Sequence, residues 1–193
     1  MAPSYPLSLP TTPAFTKAKW GLNRRVGISE SPFTGAQQTY EYAYALWSAT
    51  LSLPPMKRTQ AAEWEAFLLK LRGRRGTFLL GNPDGKTPRG SVTGSITLST
   101  AASVSDDSLV IQSNQNSEVG IFKAGDYLQL GGSGSAKLYA VVDDATSNAS
   151  GVVTVNIEPA LKVAASSGAA VTYSNPKGVF RMQTSELGWD TDE

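Results

Sequence analysis

Hydrophobic and polar residues alternate strictly from Trp47 to Leu53. Trp47, Ala49, Leu51 and Leu53 share one parity, and Ser48, Thr50 and Ser52 the other. That two-residue period marks a half-buried strand and predicts strand over residues 36–53. Upstream, Tyr40, Tyr42, Tyr44 and Leu46 alternate in the opposite phase. One strand cannot bury both sets on one side, so the pattern predicts a bulge or a tight turn near Ala45. Pro54-Pro55 then stops the sheet, because proline has no amide hydrogen to give a ladder.

The period next lengthens to three and four residues. In "RTQAAEWEAFLLKLRG", Ala61, Trp64, Leu68 and Leu71 share a helical face with Phe67 beside them. A helix over 59–72 follows, with Thr59 as N-cap and Gly73 as its stop. Glu63 and Glu65 lie early and Lys70 and Arg72 late, as the helix dipole favours. This helix should pack on the strands around it.

Residues 90–174 change character. They are rich in Ser, Gly, Ala and Val, and carry no helical period of useful length. Val153, Val155 and Ile157 alternate with polar residues, and "YLQLGG", "KLYAVVDD" and "AAVTYS" are further short β-runs between turn clusters. The stretch predicts a small β-barrel or sandwich of five or six strands. The fold class expected overall is mainly β with one α-helix.

The segment "LLGNPDGKTPRG" imitates a phosphate-binding loop but fails its test. The motif G-x-x-x-x-G-K-[ST] needs glycine at position 80, which is Leu80, and a helix opening at the lysine. Here Thr87 leads into Pro88-Arg89-Gly90. Turn chemistry explains it better. Asn82-Pro83-Asp84-Gly85 matches Asn175-Pro176-Lys177-Gly178, and Asn, Pro and Gly at first, second and fourth place favour a type I turn. Two such turns flank the composition change. They divide the chain into a first domain, residues 1–85 plus 175–193, and an inserted domain, residues 86–174, with "GVFRMQ" returning to complete the first sheet.

Composition narrows the chemistry. The 193 residues contain neither Cys nor His. That excludes disulfides, thiolate metal sites, cysteine nucleophiles and imidazole acid–base catalysis. Lys, Tyr and carboxylate enzymes stay open, so the gap counts against catalysis without closing it, and no cofactor is expected. No apolar run approaches the ~20 residues that span a bilayer. The proline-rich start lacks the basic region of a signal peptide and suits an extended, poorly packed arm.

The net charge of +1 hides an asymmetry. Residues 1–90 carry 12 Lys/Arg against 5 Asp/Glu, and residues 91–193 carry 5 against 11. Opposed halves suit charged partners or head-to-tail contacts between copies. Arg72, Arg74, Arg75, Lys86 and Arg89 form a candidate partner interface. They lack the interleaved aromatics of a single-strand platform, so an acidic protein surface suits them better than nucleic acid. Asp106-Asp107 and Asp143-Asp144 lack the spacing of a calcium loop and read as solvated turns. The sequon Asn148-Ala149-Ser150 matters only in a secreted eukaryotic protein. Tyr40, Tyr42 and Tyr44 suit sugar stacking, or a sheet face packed on a neighbour.

The stretch "FTGAQQTYEYAYALWSATLSLPPMKRTQAAEWEAFLLKLRGRRGTFLLGNPDG" resembles the distal tail (Dit-like) and minor tail proteins of long-tailed bacteriophages. The shared pattern is an aromatic-ended strand, Pro-Pro, a helix with a Phe-Leu pair, and a Gly-x-x-Gly-Thr-Phe turn into a strand. "GDYLQLGG", "YAVVDD" and "NPKGVFRM" resemble the second half of such proteins, so the likeness covers most of residues 30–182. It implies a tail-tube-like β-sandwich plus helix closing into a hexameric ring, and a peripheral OB-like or galectin-like domain. Implied partners are further copies, the tail tube, tape measure and hub or baseplate proteins, and a receptor-binding protein, in the virion tail tip. The resemblance implies no membrane or specific nucleic-acid contact and no catalysis. The rivals are a carbohydrate-binding or adhesin-like β module, with Tyr127 or Tyr139 as stacking platforms, and a small carboxylate or lysine enzyme.

Overall fold

The computed structural model describes residues 3–186 and 188. Its first part contains β1 (Leu7–Ser8), β2 (Lys17–Glu30), β3 (Gln37–Ser52), α1 (Arg58–Leu71) and β4 (Thr77–Leu80). There follow β5 (Ile96–Leu98), β6 (Ser108–Gln112), β7 (Tyr127–Leu130), β8 (Lys137–Val141), β9 (Val152–Glu158), β10 (Ala170–Thr172) and β11 (Gly178–Arg181). The chain is mainly β with one α-helix, as its periodicities require.

β4 is the centre of a three-stranded sheet, with β1 parallel on one edge and β11 antiparallel on the other. "GVFRMQ" therefore does return to the sheet that "TFLL" began. Trp64, Phe67 and Leu71 of α1 pack with Phe78 and Leu80. Burying each of these side chains contributes about 1.5–3 kcal/mol. The aromatic rings meet mostly edge to face: Phe67 lies 6.0 Å from Trp64 and 5.9 Å from Phe78, centroid to centroid.

Both helix ends differ from expectation. The helix starts at Arg58, so Thr59 lies inside the first turn, and the N-cap is Lys57, whose side chain makes no capping bond. Tertiary burial of the apolar face supplies what the cap does not. At the other end Arg72, and not Gly73 alone, takes the left-handed conformation (φ 52°), its amide donating to the Leu69 carbonyl at 3.1 Å. Gly73 follows with φ 65°. The N-terminal arm is extended but not loosely held. Tyr5 Oη donates to the Lys70 carbonyl at 2.7 Å, Trp64 Nε1 donates to the Thr12 carbonyl at 3.1 Å, and Leu7, Leu9 and Phe15 join the core.

β5 to β10 form a closed barrel in the order β10-β5-β6-β9-β8-β7, with every pair antiparallel. Alternation does the sorting: Val153, Val155 and Ile157 of β9 point inward, while Thr154 and Asn156 face water. The interior is filled by side chains, Leu109, Ile111, Phe122 and Leu128 being fully buried. Of the two architectures expected, the barrel is the one present. Its circuit has six strands, one more than the five of an OB-fold. Closure rests on three-residue β10, which pairs with β5 on one side and β7 on the other.

Candidate functional site

β2 and β3 form a long hairpin that pairs with no other strand among the described residues. Directly paired residues project to one face. Near its base the front face presents Ala18, Trp20, Leu22, Trp47, Ala49 and Leu51. Trp20, Ala49 and Leu51 pack into the helix–sheet core, with Trp20 5.6 Å from Phe180. Farther out, the same face carries Arg24, Val26 and Ile28.

The irregularity anticipated near Ala45 is present. Arg24 pairs with Ala45, yet Val26 pairs with Glu41, so β3 takes four steps where β2 takes two. This bulge does not separate the two hydrophobic sets, as the sequence pattern suggested. An even excess preserves parity, so Tyr40, Tyr42, Tyr44 and Leu46 lie on the back face throughout. The Tyr42 ring sits over Gly27, where a Cβ would lie 3.4 Å from it, and the Arg25 guanidinium stacks 4.9 Å from the Tyr44 centroid.

Apolar side chains on both faces of this outer half are exposed. Tyr40, Tyr42 and Leu46 are 52%, 60% and 52% exposed on the back, and Val26 and Ile28 are 52% and 65% exposed on the front. Phe33, in the connecting turn, is 95% exposed. The turn itself is tied, Ser31 N donating to Ala36 O and Gly35 N to Ser31 O, both at 2.9 Å. A hydrogen-bonded ribbon with apolar side chains on both faces and both outer edges unpaired can extend a sheet by strand addition.

The two Asn-Pro turns come together. The Asn175 amide donates to the Lys86 carbonyl at 2.6 Å, and Gly81 rests against the Pro176 carbonyl, leaving no room for a side chain. Asn82 Oδ1 accepts from Asp84 N at 3.1 Å while its Nδ2 donates to Tyr127 Oη at 2.9 Å. Gly85 packs against the Tyr127 ring, and Gly178 lies beside Leu138. Pro83, Lys86 and Asn175 line a groove of about 590 Å³ shared with Lys17 and Lys177. The basic candidates do not form one cluster. Arg72, Arg74 and Arg75 sit at the end of α1, whereas Arg89 Nη1 donates to the Ala124 carbonyl at 2.8 Å beside the barrel.

Three of the four acidic candidates accept local hydrogen bonds, Asp106 and Asp144 from backbone amides and Asp143 from a side chain. Asp106 Oδ2 accepts from Ser103 N at 2.7 Å, Asp144 Oδ1 from Ala124 N at 2.9 Å, and Asp143 Oδ2 from Asn156 Nδ2 at 2.9 Å. Asn148 Oδ1 likewise closes its own turn on Ser150 N at 2.8 Å. Sequence reading missed Asp126. It is buried, and its carboxylate accepts from the amides of Arg89 at 2.5 Å, Gly90 at 3.1 Å and Lys123 at 2.8 Å. Nothing in "KAGDYLQL" signals that role, because the donors lie up to 37 residues away. Tyr139 is buried, which pushes its phenol above the ordinary value, and Tyr127 is half-buried against Trp47. Neither offers a free stacking face.

Among the described residues no three His, Cys, Asp or Glu side chains are grouped to hold a metal, and no helix is long and apolar enough to cross a membrane. No protein-family model matches the chain, and no curated protein matches it.

Proposed function

We propose that this protein is a structural component of a bacteriophage tail tip, one that assembles with copies of itself into a hexameric ring. The observation that carries the reading is the outer half of the hairpin, where the strand edges are unpaired among the described residues and apolar side chains are exposed. Such a surface is an assembly surface or an aggregation hazard, and a chain that keeps it has a use for it. In this reading the β1-β4-β11 sheet and the hairpin are the two layers of a tail-tube-like sandwich, with α1 packed alongside. Residues 1–85 and 175–193 build the ring, and residues 86–174 are an inserted peripheral domain facing hub, baseplate or receptor-binding proteins. The Lys86 carbonyl and Asn175 amide stand one hydrogen bond apart, so a short linker can replace the insert without stretching the first domain. The ring needs no enzyme chemistry and no cofactor. The basic end of α1 supplies a complementary face for an acidic neighbour in the tail.

Negative-stain microscopy of the purified chain, alone and with tail tube protein, tests this reading. Rings with sixfold symmetry are expected; particles of single-chain size under both conditions would refute it. A carbohydrate-binding reading keeps one supporting observation, the exposed tyrosines of the back face. It predicts glycan-array binding lost in Tyr42→Ala.

A further inference from the structure

Beyond the bulge the hairpin has no core of its own, and its direction must be set by something else. The barrel touches it at the bulge and just below it. Arg24, on the front face, forms ion pairs with Glu41 across the hairpin at 2.8 Å and with Glu158 at the end of β9. These two are the ion pairs found among the described residues, and Arg24 belongs to both. Lys162, just beyond β9, donates from Nζ to the Ala43 carbonyl at 3.0 Å. Ala43 lies in the bulge, among the residues that the register skips. One step nearer the base, Trp47 Nε1 donates to the Leu138 carbonyl of β8 at 2.8 Å, and the Trp47 ring meets Tyr127 at 5.9 Å.

We propose that this clasp aims the hairpin, so that Arg24, Lys162 and Trp47 are positioning residues for assembly. The inference rests on the assembly reading above and adds to it: the barrel is a brace for the ring-forming element. The two buried cores share no residue, and a cleft of about 430 Å³ lies between hairpin and barrel, bordered by Arg24, Tyr42, Asp107, Glu158 and Lys162. The cleft gives the outer hairpin room to swing, and the clasp spans it. Lys162 reaches the strand within the bulge.

The absence of native cysteine makes a direct measurement clean. Spin labels on Ser29→Cys in the hairpin and Ala164→Cys on the barrel report the distance between them. Labelled chain diluted in unlabelled chain removes distances between copies. A narrow distribution is expected for the native background. Arg24→Ala combined with Lys162→Met should broaden it several-fold with the melting temperature little changed, and Arg24→Lys combined with Lys162→Arg should recover most of the narrowness. If about one conformer in ten stays competent, the concentration needed for rings rises about tenfold. An unchanged width in the double variant overturns the clasp, as does broadening matched by a collapse in melting temperature. Absence of rings from the native chain would defeat the assembly reading instead, leaving the distance measurement to decide the clasp.

Discussion

The barrel and the hairpin are built from the same alternation and end in opposite conditions. In the barrel, six antiparallel strands close on themselves, so every strand has two neighbours and the inward residues bury one another. In the hairpin, thirteen residue pairs join two strands, and among the described residues no third strand arrives. One region is finished by its own chain. The other has its hydrogen-bonding edges and its Tyr40, Tyr42, Ile28 and Phe33 side chains still open. In the assembly reading, the difference separates what stabilises this protein from what it offers to other copies. Substitutions should sort the same way, with large effects on folding in the barrel and large effects on assembly in the hairpin.

The sharpest contrast on folding comes from the barrel interior. Phe122 is fully buried, and Phe122→Ala should cost about 3–5 kcal/mol, read as a lowered denaturant midpoint. Asp126→Ala comes next. It leaves three backbone amides without their charged acceptor, a loss of about 1.5–3 kcal/mol, and Asp126→Asn should recover part by keeping one oxygen. Trp47→Phe removes the bond to the Leu138 carbonyl and part of the ring that meets Tyr127, and should cost at least about 1 kcal/mol. At the bottom stands Ile28→Ala, within about 0.5 kcal/mol of the native chain in monomer stability because the residue is already exposed. Equal costs for Phe122→Ala and Ile28→Ala would erase the comparison.

Much of this division was legible in the sequence. The opposed phases of Tyr40–Leu46 and Trp47–Leu53 showed that one strand carried two hydrophobic sets, and the break near Ala45 fell where the register shifts. What the pattern could not show was the size of the bulge. Its even excess keeps parity and sends the tyrosines to the back face instead of turning them inward. The helix was readable from Trp64, Phe67 and Leu71, but its N-cap was not, since core burial and not Thr59 sets where it begins. Barrel closure was hidden because β10 is three residues long and finds its partners some 40 and 75 residues away in sequence. Arg24, Asp126 and Lys162 were invisible as a group for the same reason. Each gains its role only from a partner brought close by the fold. The paired Asn-Pro turns were visible, and the structure joins them through Lys86 and Asn175.

The most direct test of the account is light scattering on the native chain beside a variant carrying Ile28→Lys, Tyr40→Asp and Tyr42→Asp. The account predicts a particle of six 20.4 kDa chains for the native protein, and a folded, cooperatively melting monomer for the variant. A native chain that stays monomeric at high concentration, or a variant that keeps the sixfold mass, would contradict it.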